Sequence, residues 1–237
     1  PHLDESGKIA VVHNGVIENF DALKERFLKG GDTFKSATDT EVLAHLIGHH
    51  YEELVAAGKG TWNGDGIHPL AQAVMNALRE VIGTYGIGVI CTDHPGVMIG
   101  ARRGSPLIVG VGEGEHFLAS DASAIVSHTR TVIYLKDYDV VTLFPDKFKM
   151  DTLGSEVASF QLSKIEFAAD AAERGTFAHY MLKEIFEQPK TVLNAIRGRL
   201  DAEDGTAKFG GLNMTTAELR GVDQIVITAC GTSWHAA

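Results

Sequence analysis

The rhythm of apolar and polar positions changes twice along the chain. Ile9 to Val12 form a short, largely β-branched run, and Val16 and Ile17 resume it beyond His13-Asn14-Gly15. Asn-Gly between two such runs is the strongest short signal for a β-hairpin, so a hairpin is expected there. Phe20 to Leu28 reads as a short helix. Thr38-Asp39-Thr40-Glu41 has the form of a capping box, and Val42, Leu43, Leu46, Ile47 and Leu54 continue it at helical spacing. A glycine-rich loop follows from Gly58 to Gly66. Leu70 to Val81 is then a second amphipathic helix, with Val74, Leu78 and Val81 on one stripe.

From Gly86 the period shortens. Ile87 to Ile90, Val97 to Ile99, Leu107 to Val109 and His116 to Leu118 are short apolar runs separated by turn residues. Val132 to Leu135 and Val140 to Phe144 predict a further hairpin across Lys136 to Asp139. This is the pattern of an antiparallel sheet. Helices followed by meandering strands predict layers of helix packed on sheet.

The second change comes near Phe167. Ala168 to Arg174 is alanine-rich and charged, and Gly175 follows, which reads as a linker. The domain organisation expected is 1–167, a linker at 168–177, and a second domain from 178 to 237. Met181, Ile185, Val192 and Ile196 predict a helix interrupted near Pro189, and Gly210-Gly211 marks a loop. Gln224 to Ala229 reads as a buried strand running into Cys230-Gly231-Thr232-Ser233. A strand, a glycine turn and hydroxyl residues opening a helix predict a parallel α/β unit.

Composition narrows the classes. The 237 residues are 44% hydrophobic and 22% charged, ordinary for a globular chain with a substantial core. With 31 acidic against 21 basic residues the formal charge is −10, which argues against a nucleic-acid groove. Two cysteines, Cys91 and Cys230, make neither a disulfide framework nor a metal knuckle, so a reducing, cytoplasmic setting is expected. No apolar run reaches membrane-span length. No signal peptide is seen, and the ends at Pro1 and Ala237 read as cut, so a partial sequence is expected.

Three places could carry chemistry. A side-chain amide and a neighbouring backbone N–H, as at Asn14-Gly15, can donate to a developing oxyanion. A plain turn is the competing reading, and on the dipeptide alone it dominates. Asp39 could hold an ammonium group, or simply favour a helix start. Cys230-Gly231-Thr232-Ser233 could cradle an anion such as a sugar phosphate, or merely cap a helix. Other features carry less. Gly110, Gly112 and Gly114 are too closely spaced for a dinucleotide fingerprint and lead into a strand. Glu41, His45 and His49 could bind a metal, but read better as a solvated helix face. No metal or other cofactor is expected. Cys91 reads as a small core residue.

Taken together, Val11 to Asn19 and Thr38 to Val42 resemble the glutaminase half of class II, N-terminal-nucleophile glutamine amidotransferases. Gly104-Ser105-Pro106-Leu107 and Ala119-Ser120-Asp121 continue the likeness in order. His179 to Ile185, Glu187-Gln188-Pro189 and Ala229 to Ser233 resemble the sugar-isomerase half of the branch that aminates fructose 6-phosphate to glucosamine 6-phosphate. The resemblance implies an α+β protein: a four-layer αββα glutaminase fold, incomplete here, then the start of a Rossmann-like α/β sugar-isomerase domain. It implies glutamine and fructose 6-phosphate as substrates and a homodimer as the working form. It places Asn14 and Gly15 in the oxyanion hole and Asp39 on the glutamine α-amino group. Cys230, Gly231, Thr232 and Ser233 would lie on the sugar phosphate. The family's nucleophile is an N-terminal cysteine, and neither Cys91 nor Cys230 stands in its place. The arginine-containing glutamine segment is also missing, so these residues alone are expected to be nearly inert. Trp234 stands where relatives more often carry Tyr. The competitors are another class II amidotransferase and a non-catalytic sugar-phosphate sensor. The Lys183-Glu184-Ile185 block and the Cys230 loop argue against the first. The lack of a basic helix-turn-helix pattern argues against the second.

Overall fold

The structure is a computed structural model that describes residues 1–154, 158–165, 174–196, 200–201, 205–207 and 215–237. The chain divides into two compact units, Pro1–Glu173 and Arg174–Ala237.

The first unit is α+β. Its first strands are β1 (His2–Leu3) and β2 (Ile9–Ile17), followed by helices α1 (Phe20–Gly30), α2 (Asp39–Ala56) and α3 (Pro69–Glu80). Eight further strands follow: β3 (Gly83–Cys91), β4 (Met98–Arg103), β5 (Ile108–Val111), β6 (His116–Ala119), β7 (Thr131–Tyr134), β8 (Asp139–Leu143), β9 (Phe148–Thr152) and β10 (Leu162–Lys164). They build a six-stranded antiparallel sheet, β1-β2-β3-β4-β8-β9, and a four-stranded one, β10-β7-β5-β6.

Two apolar layers hold the stack. Ile9, Val11 and Ile17 of β2 and Ile87 and Val89 of β3 meet Val42, Leu46 and Val74 of the helices in one buried cluster. On the other face of the large sheet, Val141 and Leu143 of β8 pack with Leu107, Val109 and Ile133 around the small sheet. Alternation of side chains across the strands produces this division. The outer face of the small sheet, Ile108 and Val132, is covered by Ile125 and Val126 beside a single 3-10 turn, Ala122–Ala124. Of the four layers expected, helix, sheet and sheet are therefore present. The outer fourth layer is this short segment among the described residues.

Three expectations are corrected. Asn14-Gly15 does not turn: β2 runs straight through it and pairs with β3 from Ile9↔Cys91 to Ile17↔Gly83. The type I′ hairpin turn that Asn-Gly favours needs positive φ at both residues. Here Gly15 alone has positive φ, +139°, and the long partner strand holds its neighbours extended. Nor do β7 and β8 form a hairpin. Between them the chain crosses from the small sheet to the large one, with Tyr138 at φ +74° and its N–H on the Arg102 carbonyl. The hairpin lies one strand later, between β8 and β9. The helix face of Glu41, His45 and His49 is solvated only at His49; Glu41 and His45 are buried. His45 is 2% exposed and donates to Asp32 Oδ2 at 2.9 Å, while stacking on Phe34. His49 reaches the same oxygen at 2.8 Å.

The start of α2 is legible in the sequence. Thr38 caps α2 by accepting from the Glu41 N–H. The Glu41 carboxylate does not complete the box. It accepts instead from the Lys35 and Ser36 N–H groups at 2.8 and 2.6 Å, pinning the loop ahead of the helix. His68 caps α3 through Nδ1 on the Leu70 N–H, with Pro69 at the first helical position.

In the second unit, α4 (Tyr180–Ile196) runs through Pro189 without a break. A proline removes one helical hydrogen bond, at a cost of about 3 kcal/mol, without obliging the chain to leave the helix. Then come a small antiparallel pair, β11 (Leu200–Asp201) with β12 (Thr206–Ala207), and helices α5 (Thr216–Arg220) and α6 (Gly231–Ala236). The buried strand expected at Gln224 to Ala229 is not formed. Ile225 and Val226 are 77% and 75% exposed, and among the described residues no strand lies beside them to complete a ladder. The expected linker, 168–173 of it, and the Gly210-Gly211 loop lie outside the described residues. No helix of the described residues is long and apolar enough to cross a membrane.

Candidate functional site

The site begins with a backbone constraint on β2. Gly15 sits opposite Tyr85 and Val16 opposite Thr84. A Cβ built at Gly15 would collide with the Thr84 carbonyl oxygen and stand 2.7 Å from its carbon and 2.9 Å from His13 Nε2. No side chain fits, and φ of +139° is itself a glycine conformation. Val16 N–H donates to the Thr84 hydroxyl at 3.3 Å. The glycine holds the backbone in a shape that leaves Asn14 and Gly15 exposed at the strand surface.

Asn14 pairs with Gly86 on β3. The Gly104–Leu107 loop closes over that position: a Cβ at Gly86 would sit 3.2 Å from the Pro106 carbonyl oxygen. Asn14 thereby lines a cleft of about 320 Å³ with Gly86, Leu107, Leu118 and Ser120-Asp121. Asp121 caps the 3-10 turn through the Ser123 hydroxyl and N–H, and these bonds hold its carboxyl below its ordinary range. The Gly104–Leu107 and Ala119–Asp121 segments, far from Asn14 in sequence, thus meet beside it.

Asp39 is the first residue of α2 and lies at the end of β2. Its Oδ2 accepts from the Ile17 N–H at 2.9 Å. Its side chain is 22% exposed, so the carboxylate is anchored at one oxygen yet reachable. His13 joins the two halves. Its side chain is 1% exposed, with Nδ1 3.2 Å from Thr40 Oγ1 and 3.8 Å from Asp39 Oδ1. Its Nε2 donates to the Thr84 carbonyl at 3.3 Å. Sequence reasoning passed over His13, although it is adjacent to Asn14. Only the pairing of β2 with β3 and α2 reveals its bridging position.

Asn14, Gly15 and Asp39 are therefore brought together. Cys230, Gly231, Thr232 and Ser233 lie in the other unit. There Cys230 is the N-cap of α6, without a side-chain cap bond, and Gly231 has φ +61°. All four are exposed. Cys91 is buried in β3 opposite Ile9, and burial pushes its thiol above the ordinary range. Five residues of strand separate that position from Asn14, a distance of about 17 Å. Among the described residues no cluster of three or more His, Cys, Asp or Glu side chains is arranged to hold a metal.

A crowded Asn-Gly segment and an anchored carboxylate thus stand at one end of β2. A glutamine amidotransferase domain matches residues 1–127, and the chain belongs to that family. Its relatives narrow the likeness. The glutamine–fructose-6-phosphate aminotransferase (isomerizing) of Chlorobaculum tepidum is 42% identical over 236 residues, covering 100% of this chain and 37% of that protein. The enzyme of the same name from Aquifex aeolicus is 41% identical over 236 residues, covering 100% of this chain and 36% of that protein. The chain thus spans a little over a third of the length of these curated relatives. Among solved structures, the glutamine phosphoribosylpyrophosphate amidotransferase from B. subtilis aligns with a TM-score of 0.47 at 24% identity, covering 65% of this chain and 31% of that one.

Proposed function

We propose that the chain carries the glutamine site, and the first part of the sugar-isomerase half, of an enzyme that moves the amide nitrogen of glutamine to fructose 6-phosphate. The products are glucosamine 6-phosphate and glutamate. The observation that carries this reading is the convergence of Asn14-Gly15 and Asp39 at one end of β2. Full-length similarity of this chain to relatives bearing that name supports it.

The chemistry proposed takes its nucleophile, an N-terminal cysteine, from the family resemblance. Attack of a thiolate on the amide carbon places negative charge on the amide oxygen. The Asn14 amide and the Gly15 N–H are the donors for that charge, and such a donor contributes about 100- to 1,000-fold in rate. Collapse expels ammonia and leaves a thioester, which water hydrolyses to glutamate. Asp39 Oδ1 takes the glutamine α-ammonium while Oδ2 stays on Ile17 N–H. Neither cysteine of this chain is proposed as the nucleophile, since Cys91 is buried far from Asn14 and Cys230 belongs to the other unit. These 237 residues alone are therefore proposed to be nearly inert towards glutamine. Cys230, Gly231, Thr232 and Ser233 are proposed to contact the sugar phosphate, with residues 1–167 as the glutaminase part, 168–177 as linker, and 178–237 as the start of a Rossmann-like isomerase part. A cytoplasmic homodimer is the proposed working form.

The test is glutamine hydrolysis by protein expressed from the complete reading frame, wild type against Asp39→Ala. The expected result is a rise in KM for glutamine of about 100-fold or more, the scale of a lost charge-assisted contact. An unchanged KM would remove Asp39 from the glutamine site.

A further inference from the structure

We propose that His13 is a positioning residue, which holds Asp39 in register with the Asn14-Gly15 backbone and keeps one Asp39 oxygen open for the ligand. The inference rests on the glutamine-site reading above.

The hydrogen-bond inventory around His13 fixes its role. The Thr84 carbonyl can only accept, so Nε2 carries a proton at their 3.3 Å contact. In the neutral ring Nδ1 is then an acceptor, and the group facing it at 3.2 Å is the Thr40 hydroxyl. A hydroxyl has one proton to donate. Thr40 Oγ1 is also 3.4 Å from Asp39 Oδ1, so His13 and Asp39 compete for that proton. The Nδ1 contact is the shorter of the two, 3.2 against 3.4 Å, so a neutral His13 ring draws that proton away from Oδ1. Asp39 Oδ2 is occupied by the Ile17 N–H, and Oδ1 remains available to an ammonium group.

The same ring spans the two elements that the substrate must bridge. On one side it grips the carbonyl of Thr84, the group packed directly against Gly15. On the other it holds the first turn of α2, where Asp39 sits. A glutamine whose amide lies on Asn14-Gly15 and whose amine lies on Asp39 needs those elements at a fixed separation. Removing His13 leaves the Thr40 hydroxyl to Asp39 Oδ1 alone and loosens α2 against β3. Both changes weaken amine binding and leave the oxyanion donors in place. The His13 side chain is 1% exposed, so the ring is assigned no contact with substrate.

The experiment measures kcat and KM for glutamine hydrolysis with protein from the complete reading frame. It compares wild type, His13→Ala, His13→Asn, Asp39→Ala and the His13→Ala/Asp39→Ala double variant. His13→Ala is expected to raise KM about 10- to 100-fold, the scale of a misplaced binding group, with kcat within about threefold. In the Asp39→Ala background the same change is expected to have an effect below about threefold, because the group it positions is gone. His13→Asn, whose amide can stand at the Nδ1 position, is expected to recover most of the KM. A fall in kcat at unchanged KM overturns the proposal, as does an equal factor in both backgrounds. If His13→Ala does not fold, His13→Asn decides: a KM as poor as that of Asp39→Ala overturns the proposal. A wild type that does not hydrolyse glutamine defeats the glutamine-site reading itself. A wild type that does, with His13→Ala unchanged, defeats this inference alone.

Discussion

Substituting Gly15 by alanine tests the backbone constraint at the centre of the site. The residue has φ +139° in a strand paired on both sides of it, and the atoms a Cβ would strike belong to the Thr84 backbone rather than to a flexible side chain. The strained dihedral costs about 1–3 kcal/mol. Forcing the Thr84 carbonyl aside costs a further 1–3 kcal/mol or so, giving about 4 kcal/mol in total. Gly114 supplies the control. It also has positive φ, +71°, but nothing lies within 4 Å of a Cβ built there. Gly114→Ala therefore costs the left-handed term alone, about 1–2 kcal/mol. The difference of about 2–3 kcal/mol corresponds to more than about 1 M in urea midpoint at an m-value near 2 kcal/mol/M. The assay is urea unfolding of the full chain followed by Trp62, which stacks on Phe144 in the first unit. A Trp234→Phe background makes that signal specific. Equal midpoint shifts for the two alanine variants would refute the claim that the Thr84 carbonyl dictates glycine at position 15.

Two further predictions concern titration and reactivity. Burial, and secondarily His94, push the His68 pKa down to about 4 from an ordinary 6.5. The unfolded chain takes up that proton first, so this contribution is complete above pH 6.5 and is lost as the pH falls towards 4. Its full size is about 3 kcal/mol. Protonation also removes the acceptor that caps α3, so His68→Asn should flatten the melting temperature between pH 6.5 and 4, and an unchanged slope would contradict the assignment. Among the thiols, Cys230 is exposed and Cys91 buried with its pKa raised by burial. A thiol reagent should label Cys230 rapidly in the native protein and Cys91 only on unfolding. Equal rates would contradict the burial of β3.

Local signals read correctly where local chemistry decides the structure. Thr38 caps α2, and the apolar runs from Ile87 onwards became strands, since capping and alternation act within a few residues. Signals failed where a distant partner decides. Asn14-Gly15 has the chemistry of a turn, and only its ladder with β3, some seventy positions away, keeps it extended. Lys136 to Asp139 resembles a hairpin loop, yet Leu135 and Tyr138 bond to Leu107 and Arg102 in separate sheets. Glu41, His45 and His49 share a helix face that reads as polar, but Asp32 and Phe34 come from the preceding loop to bury His45. The site divides the same way. Asn14, Gly15 and Asp39 stand out only through the family resemblance; their residue types alone read as a turn and a helix start. The bridge through His13, Thr40 and Thr84 is a tertiary fact with no signal in the local sequence.

The central claim is that this chain's glutamine site serves amide transfer to a sugar phosphate. Its most direct test supplies amide-¹⁵N glutamine and fructose 6-phosphate to protein expressed from the complete reading frame, and follows the label by mass spectrometry. The account predicts ¹⁵N in glucosamine 6-phosphate, lost together with glutamate release when Asp39 is replaced by alanine. Label that appears as free ammonia but never in the sugar would leave a glutaminase site serving another acceptor. Glutamine left intact would contradict the account at its root.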